Sequence, residues 1–199
     1  KKQLYGEAYL VRFADDFLIM FQYERDAQRV YEAIIKRMEL FGLELSKEKT
    51  RILPFGRYSG SRETFDFLGF THFNSKTRKG YYSVGHKISR KKKKQFKSNL
   101  KKWVKENRNT QFDEFMKALN KKLTGSFNYY SLSGMIKEVR NLWQHSLYVT
   151  FKWLNRRSQR RSFKLERFYE IWNDRIIHPY IHVDIWLSLI HISEPTRRS

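Results

Sequence analysis

Apolar residues crowd the start of the chain. Residues 8–14 (AYLVRFA) and 17–22 (FLIMFQ) are strand-length runs rich in aromatic and branched side chains. Only Asp15 and Asp16 separate them, which predicts a tight hairpin with both carboxylates at or beside its turn. The period then changes. Ala27, Val30, Tyr31, Ile34, Ile35, Met38 and Phe41 recur along one face of a helix over 25–41, with Gly42 as its stop. GLEL (42–45) and TRILPF (50–55) predict two short extended pieces around the polar SKEK. After a Gly/Ser loop (GRYSGSR, 56–62), TFDFLGFTHF (64–73) predicts another strand, and KGYYSV (79–84) its hairpin partner.

From Val84 onward the pattern is helical. Phe96, Leu100, Trp103 and Val104 form one stripe, and Phe112, Phe115, Met116, Leu119 and Leu123 another. A longer stripe runs through Ile136, Val139, Leu142, Trp143, Leu147, Thr150 and Leu154, and a last helix is predicted around 163–174. The predicted class is therefore α+β: hairpins plus a helix in residues 1–84, then an all-helical piece in 85–185. No apolar run reaches the roughly 18–20 residues of a membrane span.

Composition changes the picture through charge. Among 199 residues, 41 are Lys or Arg and 20 are Asp or Glu, a net charge of +21. Such a surface attracts a polyanion through counterion release. Aromatics at 17% add stacking surface, so nucleic acid leads over an anionic membrane as partner. There is no cysteine, which excludes disulfides and thiolate metal sites and fits a reducing cytoplasm. His72, His86, His145, His178, His182 and His191 show no ligand spacing, and no zinc site is predicted.

The carboxylate pair carries the candidate chemistry. Aspartate at a turn ordinarily caps backbone. Two adjacent carboxylates within so apolar a segment repel each other and resist burial, unless a cation joins them. Hard ions such as Mg²⁺ take carboxylate oxygens and share substrate phosphates, the arrangement used in two-metal phosphoryl transfer.

Phe13-Ala14-Asp15-Asp16 resembles the catalytic hairpin of reverse transcriptases, with Phe in place of the usual Tyr. MELFGLELSKEKTRIL (38–53) is similar to the helix-to-loop motif that follows it, and FDFLGF (65–70) to the hairpin that grips the primer. KLTGSFNYY (122–130) and KWLNRRSQRRS (152–162) resemble the thumb and maturase region of reverse transcriptases encoded by bacterial group II introns.

The resemblance implies a partial polymerase palm followed by a helical thumb and maturase domain. Asp15 and Asp16 would be catalytic metal ligands for Mg²⁺, with Asp15 the more important. Lys49 would protonate departing pyrophosphate, with Lys47 as competitor and a solvated loop charge as the plainer role of either. Phe67, Leu68, Gly69 and Phe70 would lie against the primer 3′ end. A glycine within a strand independently suggests close backbone approach at Gly69. Arg90, Lys91, Lys92, Lys93, Lys94, Lys97 and Lys101 would meet phosphates from one side of a helix packed on its other side. Arg156, Arg157, Arg160 and Arg161 would do the same. Tyr129 and Tyr130 would stack on RNA bases, unless one belongs to the core.

The implied partners are an RNA template, a DNA primer, deoxynucleoside triphosphates and intron RNA, without a membrane. The implied activity is RNA-directed DNA polymerisation, with maturase-type support of RNA splicing and retrohoming in a bacterial cytoplasm. The family's third aspartate and its fingers precede the hairpin, so this chain alone is expected to be inactive and its parent active. Another bacterial reverse transcriptase (retron, diversity-generating or CRISPR-associated) and a non-catalytic RNA-binding maturase are the rival readings. The tail at 189–199 (LIHISEPTRRS) resembles the conceptual translation of a sequencing-library adapter.

Overall fold

The computed structural model describes residues 4–46, 48–157 and 162–180. The adapter-like tail at 189–199 lies outside them, as do Lys47, Arg160 and Arg161. The described residues form five strands and five helices in an α+β arrangement. They divide into two compact units, residues 4–46 and 48–68 with 72–85, and residues 69–71 with 86–157 and 162–180.

In the first unit, β1 (Ala8–Phe13) and β2 (Asp16–Phe21) pair antiparallel, from Ala8 opposite Phe21 to Phe13 opposite Asp16. The helix α1 (Glu24–Leu40) packs on β2. Asp26, buried in its first turn, fixes the entry of the chain. One carboxylate oxygen accepts the Tyr5 and Gly6 N–H groups at 2.9 and 3.0 Å. The sequence pattern did not single out this acid.

The hairpin itself is thinly covered. Tyr9, Leu10, Phe13 and Met20 are between 47% and 64% exposed, so the apolar run is not the interior of a core. Strand β1 pairs only with β2, which leaves its outer edge open among the described residues.

A second sheet has the order β3-β4-β5, from β3 (Thr64–Phe67), β4 (Phe70–Lys76) and β5 (Tyr82–Ile88). The run 64–73 is thus two strands rather than one, broken by a turn at Leu68-Gly69. The predicted extended pieces at 42–45 and 50–55 form no strand. They lack a neighbouring strand to take their N–H and C=O groups, and single contacts hold this segment instead, such as Arg51 donating to the Thr64 carbonyl at 2.8 Å.

The second unit carries the main core. It holds α2 (Arg90–Asn107), α3 (Phe112–Tyr130), α4 (Ile136–Leu154) and α5 (Leu165–Arg175). Leu100, Val104, Phe115, Leu119, Leu123, Phe127, Val139, Leu142, Leu154, Phe168 and Trp172 are all at most 2% exposed, and they continue the stripes seen in the sequence. Ser89 caps α2 by accepting the Lys92 N–H. The segment after α5 is tied down by Ile177. Its N–H donates to the Asn120 side chain at 2.9 Å, and its carbonyl accepts from the Trp143 indole at 3.1 Å.

Candidate active site and nucleic-acid surface

The first hairpin turns in two residues, Ala14 and Asp15, because Phe13 and Asp16 face each other as its last pair. Ala14 has φ +53° while Asp15 stays outside the positive region, the pattern of a type II′ turn whose first position favours glycine. The Arg12 guanidinium crosses the turn and donates to the Ala14 carbonyl at 2.8 Å. It braces backbone and leaves the acids alone.

Asp15 and Asp16 are exposed, and neither carboxylate takes part in a hydrogen bond or ion pair with the described residues. Exposure replaces the burial expected of so apolar a run, because the strands beneath the turn are themselves uncovered. Strain of this kind is kept where a tip must hold a set shape. Ala14→Gly is expected to stabilise the hairpin by about 0.5–1 kcal/mol. The check is amide exchange across β1 and β2, which slows if the turn is strained; unchanged or faster exchange would contradict the strain.

The donor set suits a hard divalent cation in part. Consecutive carboxylates at one tip offer oxygen ligands, with no cation among the described residues competing for them. Among the described residues no third histidine, cysteine or acid joins them. The pair therefore offers two carboxylate groups, fewer than a hard divalent cation ordinarily takes from a closed protein site.

The second hairpin mirrors the first. Leu68 at φ +50° and Gly69 at +81° form its two-residue turn, in the pattern of type I′. Ala14 and Leu68 are the two non-glycine residues with positive φ among those described, so both sequence-selected hairpins carry strained tips. A Cβ on Gly69 would stand 3.4 Å from Lys92 Cγ and 3.9 Å from the Tyr129 hydroxyl, and the Gly69 carbonyl accepts the Ser89 N–H at 2.9 Å. Phe67 and Leu68 are half-buried. Phe70 is buried, with its ring stacked on Tyr129 at 5.6 Å and edge-on to Tyr130 at 5.7 Å. Its ring therefore packs inside the helical unit and is not a free surface. Lys49 is exposed in the turn where its N–H donates to the Ser46 carbonyl.

The basic helix presents most of its charge outward. Arg90, Lys91, Lys92, Lys94, Lys97 and Lys101 are exposed on α2. Lys93 differs: it is half-buried and paired with Glu138 of α4 at 2.5 Å. Burial and the positive charge of Lys97 together hold His145 below its ordinary imidazole range. Tyr129 is half-exposed, whereas Tyr130 belongs to the core at 9% exposure. Beyond α4, Arg156 is exposed and Arg157 donates from Nε to the Leu154 carbonyl at 3.2 Å.

Two comparisons meet this geometry. Residues 1–72, which carry the carboxylate hairpin, match the family described as reverse transcriptase (RNA-dependent DNA polymerase). Residues 93–171, which carry most of the helical unit, match the group II intron, maturase-specific domain. Together the two matches support a group II intron reverse transcriptase/maturase. Among curated proteins, none matches it.

Within the chain, three features were not legible in the sequence. Asn155 ties Phe163 to the end of α4: its side chain accepts the Phe163 N–H at 2.8 Å and donates to the Phe163 carbonyl at 3.1 Å. Trp153 gathers three cations, Lys105, Arg108 and Arg156, at 5.5–5.7 Å from its ring. Asp26 seats the start of the hairpin unit. Asn155 and Trp153 do stand in the KWLNRRS segment, but nothing local to that segment announces partners so far along the chain.

Proposed function

We propose that this chain supplies the palm hairpin and helical thumb of an RNA-directed DNA polymerase encoded by a group II intron. The observation that carries the proposal is the hairpin tip. Two consecutive exposed carboxylates stand at a strained turn, with no cation among the described residues engaging them. Repulsion between them is uncompensated until a divalent ion arrives.

In this reading Asp15 and Asp16 would hold Mg²⁺, and the ion would supply Lewis-acid stabilisation for transfer of a deoxynucleotide to a primer 3′ hydroxyl with release of pyrophosphate. Rigid strands keep the two carboxylates at one point, so little reorganisation accompanies binding. Lys49 holds a proton for the departing pyrophosphate. The Leu68-Gly69 turn meets the primer strand, with Gly69 supplying the positive φ that the turn requires. The open apolar surface of β1 suits cover by the rest of a palm, which would also contribute the missing acid. The described residues hold two acids at this site and no third. The 199-residue chain alone is therefore proposed not to extend a primer.

The exposed cations of α2, with Arg156 and Arg157, would hold template–primer and intron RNA by their phosphates. The maturase-specific match favours the intron type over a retron, diversity-generating or CRISPR-associated enzyme. Support of splicing and retrohoming follows as part of the same proposal. No helix among the described residues is long and apolar enough to cross a membrane, and the cytoplasm is the proposed compartment.

Salt-dependent RNA binding tests the surface. Lys94→Gln and Lys97→Gln should each weaken binding across RNA sequences and reduce the salt slope by about one. Lys93→Gln should instead lower the thermal stability of the helices, because its partner Glu138 loses its counter-charge. Equal slopes for all three variants and the parent would overturn this assignment.

A further inference from the structure

We infer a second nucleic-acid site, away from the carboxylate tip: a cleft that takes one unpaired nucleotide between Tyr58 and Tyr81. The inference rests on the reading that the chain binds nucleic acid, and it adds a place and a strand state.

The cleft has a volume of about 290 Å³ and is lined by Arg57, Tyr58, Lys76, Gly80, Tyr81 and Tyr82. Its construction begins at Asn74 on β4. The Asn74 side-chain oxygen accepts the Gly56 N–H at 3.2 Å and the Tyr82 hydroxyl at 2.8 Å, and its amide donates to the Ser61 carbonyl at 2.9 Å. One residue thus fastens both ends of the 56–61 loop against the sheet. Across the strand, the β4–β5 connection closes through the Thr77 N–H donating to the Tyr81 carbonyl at 2.8 Å, with Gly80 at φ +82° completing the turn. The loop presents Tyr58 and the connection presents Tyr81.

Both rings are unusually open: Tyr58 is 91% exposed and Tyr81 is 69% exposed. Tyr82 differs, because its hydroxyl is committed to Asn74 and its ring forms a wall. Two of the six lining residues are cationic and none is acidic. The Arg57 guanidinium lies 5.4 Å from the Tyr58 ring centre, so charge and stacking surface adjoin. Aromatic faces beside cations bind single strands, because every unpaired base offers a π-face and every linkage a phosphate. A duplex offers the phosphate and hides the base. The cleft therefore selects an unpaired nucleotide, with its phosphate between Arg57 and Lys76 and its base on Tyr58 or Tyr81.

The test measures binding of the full 199-residue chain to fluorescent 12-nucleotide probes: oligo(U) RNA, oligo(dT) DNA and an RNA duplex. Tyr58→Ala and Tyr81→Ala should each lower affinity for a single strand about fivefold or more, with duplex affinity unchanged. Tyr58→Phe should retain binding within about twofold, since the ring rather than the hydroxyl stacks. The RNA and DNA arms show which strand is preferred. Oligo(U) carrying 4-thiouridine should cross-link to peptides containing Tyr58 or Tyr81. Unchanged single-strand affinity in both alanine variants, or equal loss on single strand and duplex, overturns the site. Duplex binding without single-strand binding overturns it while leaving the polymerase reading intact. No binding to any probe overturns both.

Discussion

Asp15→Asn will lower single-nucleotide incorporation by the complete polymerase about a thousandfold or more, with little change in folding. The size follows from chemistry. A carboxylate-held divalent ion contributes several kcal/mol of transition-state stabilisation, and about 4 kcal/mol corresponds to three decades in rate. Asparagine keeps the shape and removes the charge. Because Asp15 is exposed and engages no described residue, its replacement removes no structural contact. Asp16→Asn should be impaired less, since that residue also opens β2 opposite Phe13 and is assigned the lesser ligand role. The measurement is single-turnover extension of a DNA primer on an RNA template, alongside thermal melting. Activity within tenfold of the parent would remove Asp15 from the metal site.

Trp172→Ala should produce the largest loss of stability. Trp172 is 0% exposed at the centre of α5, 6.0 Å from both Phe168 and Trp143 in ring-to-ring distance. Removing a buried indole leaves a cavity that three packed helices cannot all collapse to fill, at about 3–5 kcal/mol. Trp172→Phe should lose less, about 1–2 kcal/mol. It keeps an aromatic ring and drops an indole N–H that has no hydrogen-bond partner among the described residues. Denaturant unfolding followed by helical circular dichroism reads both. A Trp172→Ala loss below about 1 kcal/mol would contradict the packing described. The proposed RNA surface depends on the helical core, because the cations of α2 are set in place by Leu100 and Val104 beneath them.

Particular residues show what the sequence made legible. The α4 stripe through Val139, Leu142 and Trp143 returned as a buried face, because helical period survives whatever lies opposite. The adjacent carboxylates between two strand runs fixed the hairpin for a similar local reason. Long-range partners were not legible. Leu68 at positive φ breaks a run that reads as one strand, since Leu-Gly is not a standard turn pair. Phe70 reads like its half-buried neighbours Phe67 and Leu68, yet it is buried against rings more than fifty residues later in the chain. Lys93 is indistinguishable from Lys92 and Lys94 in a run of lysines until Glu138 of α4 is brought beside it. The exposure of the first hairpin was equally hidden: apolar content predicts a wish for cover, not its presence.

The central claim is that Asp15 and Asp16 hold a divalent metal at the hairpin tip. Paramagnetic Mn²⁺ titrated into the isotope-labelled 199-residue chain tests it most directly. Weak, saturable broadening should centre on the amides of Ala14, Asp15 and Asp16, be displaced by Mg²⁺ and be lost in the Asp15→Asn, Asp16→Asn double variant. Broadening centred elsewhere, or unchanged in the double variant, would contradict it.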